Sequence, residues 1–200
     1  MSLDRRNRQK RQQSRKLLLI VDGESERIYF EYFVGKNRNL KVEIKPSKNQ
    51  SSYKRTLEYC LKQMKIYDLD IDKGDRVAIV TDVDDHPDSD VISIESQCRK
   101  KKAELYISNP CFEVWLVLHY ERIQRWMQRG ELNDRLSELM EKKYVKADGI
   151  SLSREMVGNA LKNGLAQTQN GDLTNQMCLS ARNSSTTVYR LVDTIVNTRT

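Results

Sequence analysis

Hydrophobic and polar residues follow one another along this chain in blocks that predict strands and helices in turn. The segments 16–21 and 76–81 contain short apolar runs rich in Leu, Ile and Val, which are typical of strands buried in a parallel sheet. Weaker strand patterns lie at 42–46, where Pro46 ends the alternation, and at 103–107. Because helical spacing of apolar residues follows each strand, the pattern predicts an α/β fold built on a parallel sheet.

The helical patterns also suggest how the chain is divided. The predicted helices cover about 24–34, 53–67, 88–101, 111–127, 131–143, 153–167 and 186–197. Pro110 suits the first turn of the fourth helix. After Gly130 the strand pattern stops, and 168–182 is polar and irregular. We therefore expect a basic arm over 1–16, an α/β core over 17–128, and a helical extension over 129–200 that packs on the core.

Charge is concentrated at the amino terminus. The chain of 200 residues has a formal net charge of +7, but residues 1–16 hold seven basic residues against one acid. The remainder is nearly neutral, so the basicity belongs to the arm. Such an arm favours salt-sensitive binding of nucleic acid through side chains that include Arg5, Arg6, Arg8, Lys10 and Arg11. A disordered, solubilising terminus explains the same composition equally well.

Composition excludes several other classes of protein. No apolar stretch approaches the ~20 residues that cross a bilayer, and the amino terminus lacks the apolar segment of a signal peptide. The four cysteines are widely spaced and predict reduced thiols in a cytoplasmic protein. Glycine-rich phosphate loops and a Gly-x-Ser-x-Gly elbow are absent from the sequence, and two histidines make a zinc enzyme improbable.

Acidic residues gather where the first and third predicted strands end. Asp22 and Glu26 follow the first strand, and Asp82 and Asp84 follow the third. Ligands of open parallel sheets bind beyond the carboxyl ends of the strands, so these side chains are expected to converge. Carboxylates this close repel one another unless a cation lies between them. Oxygen-only ligation favours Mg²⁺ or Mn²⁺, and the pattern predicts such a site at these four residues.

Each of these acids also has an ordinary structural explanation. Acids in a first helical turn complement the helix dipole, which accounts for Glu24, and aspartates cap helices or stabilise turns. Three aspartates within residues 82–85 are more than a helix cap or a turn requires. His86, beside them, is a candidate for acid/base work or substrate contact. Glu113, in an otherwise apolar segment, requires either a basic partner or the metal cluster.

Three residues outside the acidic set have weaker claims. Asn109 suits a helix cap better than a substrate contact. His119 suits the core or its rim better than a ligand role. Lys48, in the polar loop after the second strand, is a candidate for steadying a substrate phosphate, although a solvated loop lysine is the simpler interpretation.

These motifs resemble known families. A strand ending in acid-Gly-x-x-acid, followed by a strand ending in Asp-x-Asp, is similar to the Toprim signature of primases, topoisomerases and OLD-type nucleases. The segments 20–30, 82–86, 108–119 and 183–189 together resemble the RloB-like family, with Ser-Asn-Pro-x-Phe-Glu as the specific part. The resemblance covers most of 16–197. It implies a Toprim-like core, a Mg²⁺ site and links to bacterial restriction and phage-defence loci.

Carried over residue by residue, the resemblance makes Glu26 the second acid and Asp82 with Asp84 the metal-binding pair. Asp22 stands where the family usually has glutamate. Aspartate is one methylene shorter, a departure that bears on acid/base chemistry more than on the fold.

Three functions follow as hypotheses. The first is a Mg²⁺- or Mn²⁺-dependent nuclease of a restriction or phage-defence system, in which Asp22, Glu26, His86 and Glu113 serve catalysis. The second is a non-catalytic subunit that binds nucleic acid or assembles such a system. The third is a phosphohydrolase acting on a nucleotide. Other defence-system proteins are expected partners, membranes are not, and the apolar faces of the last helices suit a homodimer as well as a core.

Overall fold

Five strands form one sheet in the described part of the chain, residues 14–47, 52–84, 86–168 and 184–198 of a computed structural model. They are β1 (Arg15–Val21), β2 (Leu40–Pro46), β3 (Arg76–Asp82), β4 (Glu104–Asn109) and β5 (Ser185–Thr186). Their order across the sheet is β2-β1-β3-β4-β5. The first four are parallel and β5 runs antiparallel to β4, which confirms the predicted α/β class with a mostly parallel sheet.

Seven α-helices accompany these strands within the same ranges. They are α1 (Glu24–Glu31), α2 (Tyr53–Ile66), α3 (Asp88–Lys100), α4 (Glu113–Val117), α5 (Arg129–Leu139), α6 (Arg154–Thr168) and α7 (Val188–Asn197). A short 3₁₀ turn, Ile71–Lys73, precedes β3. None of the described helices is both long and apolar enough to cross a membrane.

Both faces of the sheet are buried around β1 and β3, whose alternate residues point to opposite sides. Leu17 and Leu19 of β1 pack with α1 and with the helices from α4 to α7. Leu18 and Ile20 pack on the other face with α2 and α3. Helices on both faces explain why β1 and β3 are almost continuously apolar.

The predicted helix 111–127 is wrong over most of its length. Helix α4 ends at Val117, and no helix covers residues 121–128. Ile123 and Met127 are buried at helical spacing, but Met127 donates its backbone N–H to Ser184 Oγ at 2.8 Å. The apolar periodicity therefore comes from an irregular segment that packs against the carboxyl-terminal part of the chain.

Two further expectations need correction. Ser185 and Thr186, predicted to begin the last helix or lie just before it, form β5 instead, beside Ser108 and Asn109 of β4. Asn109 is not the cap of α4, since Phe112 occupies that position.

The boundary predicted at residue 128 stays a prediction, although buried residues of α5, α6 and α7 share one apolar cluster with β1. The arm 1–13, the loop residue Lys48, Asp85 and most of the polar stretch 168–182 lie outside the described residues. Of the cysteines, Cys60, Cys98 and Cys111 are free and buried.

Candidate functional site

The carboxyl ends of β1 and β3 open into a cleft lined by acids. These strands are parallel, hydrogen-bonded neighbours, so Asp22 and Asp82 lie at the same edge of the sheet. The cleft has a volume of about 360 Å³. It brings together the six acidic or histidine residues predicted for the site, namely Asp22, Glu26, Asp82, Asp84, His86 and Glu113. Their location is thus established, while their chemical roles stay predictions.

Asp22 is held in place by hydroxyl groups from both neighbouring strands. Ser47, which follows β2, donates to Oδ1 at 2.6 Å, and Thr81 of β3 donates to Oδ2 at 2.7 Å. Both hydroxyl residues are buried. Asp22 is therefore a fixed carboxylate at the tip of β1, and each of its oxygens keeps a lone pair free for another contact.

Glu26 lies in the first turn of α1 and is 3 % exposed. Burial raises the pKa of its carboxyl to about 7, and the nearby carboxylates of Glu113 and Asp22 add to the rise. A proton or a metal cation would relieve this repulsion.

Asp82, the last residue of β3, is affected in the same way as Glu26 by burial and by neighbouring carboxylates. Burial, together with repulsion from Glu26 and Asp84, raises its pKa well above the usual range. Its Oδ1 is buried and has no hydrogen-bond partner among the described residues. The main-chain oxygen of Asp82 accepts a hydrogen bond from the Tyr53 hydroxyl at 2.8 Å, which ties the end of β3 to α2.

Glu113 begins α4 and is 1 % exposed. Its Oε1 meets three donors: Lys146 Nζ at 3.2 Å, the Tyr144 hydroxyl at 3.3 Å and the Ser25 hydroxyl at 3.4 Å. Its Oε2 has no hydrogen-bond partner of normal geometry in the described chain. Burial alone would raise its pKa, but the Cys111 thiol and Lys146 outweigh that effect and hold the pKa below its usual value.

Asp84 lies at the rim in a left-handed backbone conformation, with φ of 45°. Its N–H donates to the Pro110 oxygen at 2.9 Å, which stabilises that uncommon geometry. The carboxylate forms an ion pair with Arg129, whose Nη2 also lies 3.6 Å from Asp82 Oδ2. His86, two residues on, stacks against Tyr53 with ring centroids 4.3 Å apart.

The side chains present fit a hard divalent cation by type, although they do not yet surround one. Within 14–47, 52–84, 86–168 and 184–198, no three His, Cys, Asp or Glu side chains converge closely enough to hold a metal ion. Asp22 is instead held by hydroxyls and Asp84 by Arg129. Two buried carboxylate oxygens, Asp82 Oδ1 and Glu113 Oε2, are left without partners, and such oxygens suit Mg²⁺ or Mn²⁺.

Sequence reasoning missed the basic side of the cleft. Arg129 and Lys146 line it, and they come from a segment with no strand or motif that would place it there. For Glu113 the sequence indicated either a basic partner or the metal cluster, and the structure supplies Lys146. The predicted nucleic-acid contacts Arg5, Arg6, Arg8, Lys10, Arg11 and Lys48 lie outside the described residues.

His119 lies away from the cleft. It is 2 % exposed and packs against Tyr29 and Trp115, which confirms it as a core residue.

These observations define an α/β protein with a carboxylate-lined cleft at the carboxyl edge of a mostly parallel sheet. A family model described as RloB-like protein matches residues 17–195. The chain therefore belongs to the RloB-like family. No curated protein and no solved structure matches the chain in the corresponding comparisons.

Proposed function

We propose that this protein is a Mg²⁺- or Mn²⁺-dependent nuclease that hydrolyses phosphodiester bonds. The observation that carries this proposal is the pair of buried carboxylate oxygens without partners, Asp82 Oδ1 and Glu113 Oε2, in a cleft where Glu26 is also buried. Buried charge of one sign is costly unless a counter-charge joins it. A divalent cation supplies that counter-charge with the ligand type that is present.

Asp22, Glu26, Asp82 and Asp84 would hold the cation, and Glu113 lines the same cleft. A cation held there would neutralise charge on the phosphate group and polarise it toward attack by water. Ser47 and Thr81 keep Asp22 oriented, which matters because the aspartate side chain is short.

His86 is the proposed group for proton transfer. It lines the cleft, its ring is held against Tyr53, and it lies at the rim where substrate enters. An imidazole ring can donate a proton from one nitrogen and accept one at the other, so a histidine in this position can give a proton to a leaving oxygen or take one from water.

Membership of the RloB-like family supports a role in a bacterial restriction or phage-defence system, and the sequence motifs support a Toprim-like arrangement of the acids. Both are parts of the proposal. Nucleic acid is the proposed substrate, and the basic arm, outside the described residues, is its proposed second point of contact.

One observation favours a second function, a non-catalytic subunit that binds nucleic acid or assembles a defence complex. Asp22 is engaged by two hydroxyls and Asp84 by Arg129, so protein groups already contact two of the four predicted metal ligands. In that role the acids would serve structure alone.

The experiment that separates the two is a cleavage assay on labelled single- and double-stranded DNA and RNA, with Mg²⁺, Mn²⁺ or EDTA. Asp84→Asn is the informative variant, because asparagine tolerates the left-handed conformation at this position and removes only the charge. Asp72→Asn is the matched control, since Asp72 is an exposed acid that pairs with Lys102 on the amino-terminal side of β3.

Cleavage that requires metal, disappears in Asp84→Asn and persists in Asp72→Asn would support the nuclease. Salt-sensitive binding without cleavage of any substrate would contradict it and favour the non-catalytic subunit.

A further inference from the structure

Two cations line the cleft, and neither belongs to the acidic motifs. Arg129, the first residue of α5, pairs with Asp84 and approaches Asp82. Lys146 places its Nζ 3.2 Å from Glu113 Oε1. Both residues belong to the segment between α4 and α6, so one part of the chain supplies both positive charges.

Both cations lie nearer to solvent than the buried acids Asp82 and Glu113, while Asp84, with 43 % of its side chain exposed, lies at the same level as Arg129. The Arg129 and Lys146 side chains are 41 % and 45 % exposed, whereas those of Asp82 and Glu113 are 15 % and 1 % exposed. The cleft thus has an acidic floor, and its rim carries Arg129 and Lys146 beside Asp84. An anion entering from solvent meets the rim first.

We propose that Arg129 and Lys146 bind the phosphate group of the substrate, and that Arg129 exchanges Asp84 for this phosphate when a divalent cation binds to the acids. The inference rests on the proposed function and deepens it, because it names the residues that recognise the phosphodiester.

Electrostatics makes such a pair necessary. Four or more carboxylates at the floor repel a phosphodiester, and one divalent cation does not neutralise them all. Cations at the rim offset the remaining charge on the side from which the substrate arrives. Arginine suits this task because its planar fork can donate two parallel hydrogen bonds to phosphate oxygens.

The anchoring of both side chains leaves their charged ends free to change partner. Helix α5 is fixed through Leu132 and Leu136, which are fully buried, while Arg129 lies at its exposed first turn. Lys146 follows Tyr144, whose ring is buried and whose hydroxyl reaches Glu113. The backbone at both sites is therefore held while the two cationic groups face the cleft.

Exchange of partners predicts that Arg129 competes with metal for the same carboxylates. Removing the guanidinium should tighten metal binding and weaken phosphate binding, two effects of opposite sign. A residue that only stabilised the fold would not produce this combination.

The test measures Mn²⁺ binding by calorimetry on the full chain, without nucleic acid, for the wild type and Arg129→Gln. We expect Arg129→Gln to bind Mn²⁺ about fivefold more tightly, which corresponds to the loss of one partly exposed ion pair. Arg125→Gln is the matched control, because Arg125 carries the same charge in the same segment but pairs with Glu131 outside the cleft. Thermal melting shows whether each variant is folded.

The second measurement is binding of a labelled phosphorothioate oligonucleotide, in Mn²⁺, over a range of salt concentrations. For Arg129→Gln and Lys146→Gln the slope of log affinity against log salt should fall by about one. Arg129→Lys keeps the charge and should restore the slope.

The outcomes separate this inference from the proposed function. Mn²⁺ binding in the wild type with no gain in Arg129→Gln, or an unchanged salt slope in that variant, overturns the inference alone. Failure of both the wild type and Arg129→Gln to bind Mn²⁺ overturns the metal-dependent function and the inference with it.

Discussion

The Glu26 carboxylate lies in the space that Gly23 leaves open. A Cβ atom at position 23 would lie 2.6 Å from Glu26 Oε2, which is closer than a Cβ atom normally comes to a non-bonded atom. The backbone itself does not require glycine, because φ of −127° and ψ of 178° are extended values that any residue adopts. Glycine in the Asp-Gly-x-x-Glu motif therefore makes room for the second acid.

We predict that Gly23→Ala displaces Glu26 and weakens Mn²⁺ binding at least tenfold, since one ligand loses its position. The fold should survive with a loss on the order of 1–2 kcal/mol, typical of an overpacked site. Calorimetry with Mn²⁺ and chemical denaturation measure the two effects. Gly158→Ala is the control, because that helical glycine has no atom within 4 Å of the added methyl group and should gain stability. Unchanged Mn²⁺ affinity in Gly23→Ala would contradict the role given to Glu26.

The same burial makes Glu26 a source of pH dependence in the metal-free protein. Its pKa is about 7 in the folded state, against 4.5 for the ordinary side chain. Between these values the folded state holds a proton that the unfolded state has lost, so the free energy of unfolding falls as pH rises. Above pH 7 the folded state bears the full cost of burying the ionised Glu26 carboxylate.

We therefore predict that Glu26→Gln stabilises the protein in EDTA at pH 8, by an amount on the order of 1–3 kcal/mol. Chemical denaturation at pH 5 and pH 8 measures it, and the gain should shrink at the lower pH. Added Mn²⁺ should raise the melting temperature of the wild type more than that of the variant. Glu24→Gln is the neighbouring control, since Glu24 is exposed and pairs with Arg27. Equal stabilities at pH 8 would refute the repulsion argument.

The sequence was sufficient for the acidic half of the site because that half depends on local pattern. Apolar runs ending in Asp22 and Asp82 predict buried parallel strands, and parallel strands bring their carboxyl ends to one edge. The basic half depends on long-range packing instead. Arg129 and Lys146 reach the cleft only because Leu132 and Tyr144 are buried against the core, and no residue near them signals this.

The errors in the fold have the same origin. Ile123 and Met127 show helical spacing, yet a contact with Ser184, 57 residues away from Met127, decides the conformation. Strand β5 has two residues, too few for any alternation to appear.

Tyr144, in the segment that supplies Lys146, contacts the acidic half of the site through its hydroxyl. This hydroxyl lies 3.1 Å from Ser25 Oγ and donates to Glu113 Oε1 at 3.3 Å. We predict that Tyr144→Phe costs about 1 kcal/mol of stability, the usual value of a buried hydrogen bond, and keeps the apolar packing. Loss of a donor also raises the pKa of Glu113. Denaturant titration of the variant beside Tyr120→Phe, whose ring is more exposed, measures the difference. A loss of stability no greater than that of Tyr120→Phe would contradict the contribution assigned to the Tyr144 hydroxyl.

His119 provides a prediction about pH that is independent of metal. Its Nδ1 lies 2.9 Å from the Trp115 carbonyl oxygen, which can only accept, so Nδ1 carries the proton. Its Nε2 then accepts a hydrogen bond from the Tyr29 hydroxyl at 3.2 Å. Burial lowers the pKa of this imidazole to about 4, from 6.5 for the ordinary side chain. Between these values the unfolded state binds a proton that the folded state excludes.

The free energy of unfolding should therefore fall as pH drops from 6.5 toward 4, with His119 contributing up to about 1.4 kcal/mol per pH unit. In His119→Asn this contribution disappears, so its stability curve should be flatter than that of the wild type over that range. Tyr29→Phe keeps the buried imidazole but removes the donor to Nε2, so it should lose about 1 kcal/mol at pH 7 and retain the wild-type slope. Denaturant titrations at half-unit steps of pH give the three curves. Parallel curves for the wild type and His119→Asn would show that the imidazole titrates alike in both states, and would contradict its assignment as a buried, neutral core residue.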